Sequence, residues 1–352
     1  MFEFEIGRHR VGQGNPVFFI AEAGVNHNGS LDLAKQLVDV ASDAGADAVK
    51  FQSFHAEEIA TKMAPKSTYH QETTGGDEVE SWFDMLKRQE MSREMHEELI
   101  GYCSKRNIIF ASTPYDLKSL RLLCDLDVSV IKIASTDTNN LPFLRHVGTA
   151  GKPIILSSAM ATMEEVSEAV ETIKHAGSKH FAVMQCTGNY PADLQNSNLN
   201  VMHSYREAFG CPVGYSDHTA GIVNPIAATA MGANIYEKHF TLSRDLPGPD
   251  HRMSIEPEEL RETIALVRRA QIVAGSAEKQ VVPEELENRI KLRKSIVSRE
   301  HIKVGQCINA DMICVKRPAT GMLPRLFDTV VGSVALVDIP ADTPITQDMI
   351  DA

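Results

Sequence analysis

Three short stretches share one spacing. Lys50-Phe51-Gln52, Ser216-Asp217-His218 and Glu237-Lys238-His239 each place two polar side chains two residues apart. In an extended strand such side chains share a face. Each stretch closes a run rich in Val, Ile or Phe, and similar runs end in Glu22, Thr113, Lys132 with Ser135, Ser157-Ser158 and Cys186-Thr187. Brought together, these ends would gather glutamates, two lysines, two histidines and several hydroxyls. His218 and His239 on neighbouring strands suit a divalent metal held by two imidazoles, with positions left for water or substrate. Lys50 and Lys132, with Ser135, Ser157 and Ser216, could cradle a phosphate and a carboxylate. A lone lysine would instead suggest a Schiff-base aldolase; two among hydroxyls favour anion binding. Buried charges are costly unless paired or functional, so a structural ion-pair cluster is the competing reading.

What must position these residues is a rhythm of eight apolar runs: Val17–Glu22, Ala48–Phe51, Ile108–Thr113, Val130–Ser135, Pro153–Ser158, Phe181–Cys186, Pro212–Ser216 and Asn234–Phe240. They lack strict alternation, as strands buried on both faces should. Amphipathic stretches lie between them. One opens at the cap residue Ser30, one at the capping box Thr162-Met163-Glu164-Glu165, and one runs from Glu258 to Ala274. Eight strands alternating with helices predict a (β/α)8 TIM barrel, with a doubly wound open sheet as the alternative. The run bottoms are apolar and the ends polar, which is the asymmetry of a barrel with its chemistry at the strand C-termini. The stretch from Phe54 to Ser92, with Tyr69, Gln71, Gly75-Gly76 and Trp82, is too long for an ordinary connection. It predicts an insertion over the active face or a mobile surface excursion.

After Ala274 the pattern changes. The sequence predicts the TIM barrel over 1–275, a charged linker over 276–294 and a small β-rich domain over 295–352. Ile302–Met312 and Ile339–Met349 suggest an internal duplication. The net charge of −12 and the absence of a Lys/Arg block argue against bulk nucleic-acid binding. No apolar run reaches the ~18 residues of a membrane span. The opening Met1–Ile6 does not read as a signal peptide. Six scattered cysteines with no C-x-x-C pair favour reduced thiols and a cytoplasmic location.

The motifs together resemble the sialic acid (N-acetylneuraminate, nonulosonic acid) synthases. The likeness runs through Phe19–Gly29, Val49–Gln52, Ser112-Thr113-Pro114, Cys186-Thr187 with Tyr190-Pro191, Gly214–His218, Glu237–Phe240, Gly248–His251 and Ser254–Pro257. Lys316-Arg317-Pro318 is similar to the signature of that family's C-terminal antifreeze-like (SAF) domain. The resemblance implies phosphoenolpyruvate held by Lys50, Thr113, Lys132, Ser135, Ser157 and Ser216. It implies a divalent ion, manganese with magnesium or cobalt as alternatives, on His218 and His239. Glu22, Gln52, Tyr190, Glu237 and Asp250 would hold an open-chain N-acylated hexose, with Glu22 and Glu237 the catalytic carboxylates. It also implies a domain-swapped homodimer in which Arg317 completes the neighbour's sugar site.

The implied reaction joins carbon 3 of phosphoenolpyruvate to the sugar aldehyde. Water adds at carbon 2, and phosphate leaves by C–O cleavage. Glu22, Glu237 and the metal are all candidates to activate that water. Neither G-x-G-x-x-G after the first strand nor a P-loop is present, and the reaction needs no nucleotide. The first expectation for the sugar is N-acetylmannosamine; a diacetamido-trideoxyhexose, giving legionaminate or pseudaminate, is the alternative. A phosphorylated aldose would call for extra basic residues that the sugar side lacks. A non-catalytic sugar-binding protein would show no metal dependence. Thr136, Ala159 and Ala319 stand where the family often has glycine, and Gly188 where some members have asparagine. These departures touch backbone contacts and sugar preference, not the charged set.

Overall fold

Each apolar run overlaps a strand, and polar residues gather at or just beyond the strand C-terminal ends. The computed structural model describes residues 3–76 and 78–351. The chain divides into two compact units, one ending at Gly275 and the other beginning at Ser276. The first opens with an antiparallel hairpin, β1 (Glu3–Ile6) and β2 (His9–Gly12). Parallel strands follow: β3 (Phe18–Gly24), β4 (Ala48–Ser53), β5 (Ile109–Pro114), β6 (Ile131–Ile133), β7 (Ile154–Ser157), β8 (Phe181–Cys186), β9 (Val213–Asp217) and β10 (Ile235–His239). They close in the order β10-β3-β4-β5-β6-β7-β8-β9, so β10 pairs with β3 and Ile235 stands opposite Phe18. The open-sheet alternative is thereby excluded.

Helices cover the outside. α1 (Leu31–Asp43) follows β3; α2 (Ala56–Ile59), α3 (Thr68–Thr74), α4 (Trp82–Gln89) and α5 (Arg93–Lys105) follow β4. Next come α6 (Leu117–Asp125), α7 (Leu141–Gly148), α8 (Met163–His175), α9 (Val201–Phe209), α10 (Val223–Ala230) and α11 (Pro257–Ala274). The expected caps are made: Ser30 accepts from the Leu33 N–H, and Thr162 with Glu165 forms a reciprocal capping box. The Phe54–Ser92 stretch is an insertion with its own small core of Val25, Phe54, Ala56 and Leu86, against which Trp82 and Tyr115 pack.

Strand parity sorts the barrel interior. Phe19, Ala21, Val49 and Phe51 face outward to Leu37, Val38 and Leu99 of the helices. Phe18, Ile20, Ala48, Ala111, Ile155 and Ile235 belong to a separate inner cluster that includes Phe4, Ile6 and Val11 of the hairpin. The hairpin therefore plugs the barrel bottom, a feature absent from the sequence expectation. Gly214 lies inside this layer. A Cβ there would stand 2.6 Å from the Ile235 carbonyl oxygen and 3.1 Å from Met184, so only glycine fits. Two residues further up each inward face, the apolar layer gives way to the polar ends.

The second unit contains α12 (Leu286–Leu292), β11 (Ser295–Ser298), β12 (Ile313–Lys316), α13 (Phe327–Val330), β13 (Val334–Ala335) and β14 (Ile350–Asp351). β11 pairs with β12 and β13 with β14, around a core of isoleucines that includes Ile296, Ile302, Ile313, Ile339 and Ile345. The duplication is visible. Ile302 and Ile339 exchange backbone hydrogen bonds of 2.9 and 2.8 Å, and a short helical turn ending at Met312 or Met349 precedes β12 or β14. Among the described residues no helix is long and apolar enough to cross a membrane.

Candidate active site

The inward-facing strand ends line one cavity of about 540 Å³ at the C-terminal mouth of the barrel. Glu22, Lys50, Gln52, Thr113, Lys132, Ser135, Ser157, Tyr190, Ser216, His218, Glu237, His239 and Asp250 all line it, which brings together every expected site residue of the barrel. Arg317 belongs to the second unit, where it is exposed before a cis Pro318. Ser135 is not a strand residue as expected. β6 stops at Ile133, and Ser135 opens a short helical turn whose hydroxyl accepts from the Ala159 N–H at 2.9 Å.

The floor is a chain of alternating charge. Lys50 Nζ lies 2.7 Å from Glu22 Oε2 and 3.7 Å from Glu237 Oε2, and donates to Thr113 Oγ1 at 3.1 Å. Lys132 Nζ donates to Ser157 Oγ at 2.6 Å and lies 3.7 Å from Glu237 Oε1, which also accepts from Ser216 at 3.0 Å. The two carboxylates are driven apart. Burial raises Glu22 to about 7, only partly offset by Lys50. Burial also pushes Glu237 upward, but Lys132 and Lys50 outweigh it and hold Glu237 below its ordinary range. Near neutrality one glutamate can exchange a proton while the other stays ionised, a division of labour suited to acid–base chemistry.

The intervening residues turn outward, as parity requires. Asp217 pairs with Lys238 at 2.8 Å and accepts from the Tyr236 hydroxyl at 2.6 Å, tying β9 to β10 beneath the histidines. The His218 and His239 rings are 5.5 Å apart, and Tyr190 lies over His218 at 4.1 Å. His218 Nδ1 stands 2.7 Å from the Thr187 carbonyl, which can only accept, so Nδ1 carries the proton and Nε2 keeps its lone pair. Burial lowers His218 to about 4 and His239 well below the ordinary imidazole range. His239 Nδ1 is buried with no hydrogen-bond partner among the described residues. Two neutral imidazoles, one with an orphaned nitrogen, fit a divalent ion that fills its other positions with water or substrate. Among the described residues no group of three or more His, Cys, Asp or Glu could hold a metal, so an ion held by this pair would keep positions open for water or substrate.

On the opposite side Gly24, at φ +54°, makes room for Glu22, Gln52 and Asp250, each 3.4 Å from where its Cβ would stand. Gln52 Nε2 donates to Glu22 Oε1 at 3.4 Å. Burial raises Asp250 to about 6, with Lys50 pulling weakly the other way. This gives a stability prediction with a defined sign. The folded state holds the Asp250 proton more tightly than the unfolded state, so wild-type stability falls as pH rises from about 4 through 6. Asp250→Asn removes that titration. The variant is expected to match wild type near pH 4 and exceed it by about 1–3 kcal/mol at pH 8 in urea melts.

Other lining residues went unnamed in the sequence: Tyr115, Asp137, Asn140 and His70. Tyr115 lies two residues beyond the strand-end hydroxyl Thr113, so the spacing rule that found Lys50 and Gln52 could have found it; Asp137 closes the helical turn that Ser135 opens, where that rule does not apply. Ala159 and Gly188, two of the departures from the resembled pattern, line the cavity together, and a Cβ at Gly188 would meet Met160 at 3.1 Å.

A closed parallel barrel with paired lysines, split glutamates and two histidines at its mouth has the architecture of a barrel enzyme. The NeuB family profile matches residues 37–279 and the SAF domain profile residues 293–351. The chain belongs to the NeuB family, as its motifs suggested. It is 41% identical to the N,N'-diacetyllegionaminic acid synthase of Campylobacter jejuni over 93% of this chain and 98% of that one. The enzyme of the same name from Legionella pneumophila is 39% identical, over 97% of this chain and 96% of that one. A crystal structure of the N-acetylneuraminic acid (sialic acid) synthetase of Leptospira borgpetersenii matches with a TM-score of 0.72 and 34% identity, covering 81% of this chain and 94% of that one.

Proposed function

We propose that the protein condenses phosphoenolpyruvate with an open-chain N-acylated hexose, releasing phosphate and forming a nonulosonic acid. The observation that carries this is the single cavity in which Lys50 and Lys132, flanked by hydroxyls, lie beside Glu22, Glu237 and the two histidines. The lysines with Thr113, Ser135, Ser157 and Ser216 hold the phosphate and carboxylate of phosphoenolpyruvate. Gln52, Tyr190, Asp250 and Glu22 hold the sugar with its aldehyde toward carbon 3. His218 and His239 hold a divalent ion, manganese first, which when bound acts as a Lewis acid toward the aldehyde. Glu237, kept ionised by both lysines, faces the positive charge that develops at carbon 2. Glu22, poised near neutrality, takes the proton of the water that adds there. Phosphate then leaves with its bridging oxygen, and Lys132 neutralises it as it departs.

Motif resemblance alone put N-acetylmannosamine first. Two relatives, 41% and 39% identical and both named for a diacetylated acid, favour a diacetamido-trideoxyhexose instead. The assay is phosphate release from phosphoenolpyruvate with manganese, either sugar, and a chelator control. Chelator-sensitive release is expected with the diacetamido sugar. No release with any acylated hexose, from folded and metal-loaded protein, defeats the reading. The proposal extends to a homodimer in which Arg317 serves the neighbouring sugar site; a monomer in sedimentation removes that part alone.

A further inference from the structure

The cavity has two chemically different ends. Its floor is charged and hydroxyl-rich, whereas Val25, Phe54, Ile59, Trp82, Leu86 and Met253 give the far wall an apolar and aromatic surface. Most of that wall comes from the insertion between β4 and α5, whose small core anchors Trp82 from behind. Among the described residues, the same insertion carries three polar atoms shielded from water without a hydrogen-bond partner: Tyr69 Oη, His70 Nδ1 and Trp82 Nε1. The Tyr69 hydroxyl lies near the Met253 backbone and the Asp250 carboxylate, but meets no partner at hydrogen-bonding geometry. Its ring stands 6.1 Å from that of Tyr190, which lies over His218. Buried polar groups are nearly always paired, so three orphans on one segment beside one cavity call for a partner that arrives from outside.

We propose that Tyr69, His70 and Trp82 are specificity-determining residues that read the far end of the sugar, and that this end carries an acetamido group and a methyl. The inference rests on the synthase reading above and names the sugar's distal chemistry. An acetamido carbonyl accepts from the Trp82 N–H and the Tyr69 O–H, and its N–H meets His70 Nδ1. Its methyl, and the methyl of a 6-deoxy carbon, lie against Phe54, Ile59 and Leu86. N-acetylmannosamine would set hydroxyls against the same apolar wall without enough partners, a penalty of about tenfold or more in affinity per group.

Trp82 is the only tryptophan in the chain, so its fluorescence reports this wall directly. Adding 2,4-diacetamido-2,4,6-trideoxymannose to the manganese-loaded protein is expected to shift or quench that emission, with N-acetylmannosamine doing so far less. In the phosphate-release assay wild type is expected to favour the diacetamido sugar by about 100-fold in kcat/KM. Trp82→Phe, Tyr69→Phe and His70→Gln should each lower kcat/KM for that sugar by about tenfold, chiefly through KM. Their values for N-acetylmannosamine and the KM for phosphoenolpyruvate should stay within about threefold. Equal losses with both sugars, or turnover of the diacetamido sugar with unchanged Trp82 emission, would overturn the proposal. Preference of wild type for N-acetylmannosamine overturns it while leaving the synthase reading intact. Absence of phosphate release with both sugars removes the synthase reading and this inference with it.

Discussion

Alanine at His218 or at His239 is expected to cut phosphate release by about a thousandfold or more while the protein stays folded. The reason lies in protonation and packing. Burial keeps both rings neutral at physiological pH, so each offers a lone pair that no proton competes for. The Thr187 carbonyl fixes the His218 tautomer from behind, as outer-shell partners of metal-bound imidazoles do. In the proposed metal site, losing one of the two imidazole donors would leave too little to retain a divalent ion, and several kcal/mol of transition-state stabilisation would go with it. Manganese binding followed by electron paramagnetic resonance provides a readout independent of turnover. Wild type should bind one equivalent, and each variant should bind none at micromolar metal. A variant that releases phosphate at wild-type rate would remove the histidines from the reaction and favour a structural role for them.

Methionine at the two lysines is expected to give opposite stability effects with a shared loss of activity. Lys132 has its charge disfavoured by burial, and its closest partner is a neutral serine. Lys132→Met keeps the shape and removes an expensive buried charge, so melting temperature should hold or rise. Activity should fall by about 100-fold or more, with the KM for phosphoenolpyruvate raised, because a charge-assisted contact to an anion is gone. Lys50 is different. It neutralises Glu22 at 2.7 Å and Glu237 at 3.7 Å, and these carboxylates outweigh burial and hold its proton tightly. Lys50→Met leaves two buried carboxylates facing each other and should cost about 3 kcal/mol at pH 8. The deficit should shrink as pH falls, starting above pH 7, because the variant lacks the Lys50 charge that holds the Glu22 proton affinity down to about 7. Equal melting temperatures for both variants at pH 8 would contradict the charge pairing described for the cavity floor.

Much of this arrangement could be read in the sequence because a parallel barrel separates its inward face by height. The lower positions must be apolar to fill the interior, so polar residues two positions further along stand out. That is why Lys50 with Gln52 and Glu237 with His239 were legible. The same spacing separated Ser216 and His218 from Asp217, which turns outward to Lys238. Tyr190 and Asp250 came only through the family resemblance, since they lie on loops where no periodicity constrains the side chain. The hairpin went unread although Phe4 and Ile6 alternate with Glu3 and Glu5, because a two-residue alternation over so few positions is a weak signal. The insertion's polar atoms were illegible for another reason. Whether an indole N–H is paired depends on tertiary neighbours, and composition carries no trace of it.

The seam between β3 and β10 has a consequence in time. Those strands pair Phe18 with Ile235 and Glu22 with His239, so the first edge of the sheet waits for the last. While the ribosome is still reading the intervening residues, β3 has an unsatisfied hydrogen-bonding edge, and its glutamate has met Lys50 but not Glu237. Contacts this distant along the chain are slow to form and leave sticky edges in the interim. Whatever part of the sheet forms during synthesis therefore stays open at this seam until residues 235–239 are available. The moment residues 235–239 emerge and dock is also the moment the charged floor is completed, so birth of the closed barrel and birth of the catalytic centre are one event.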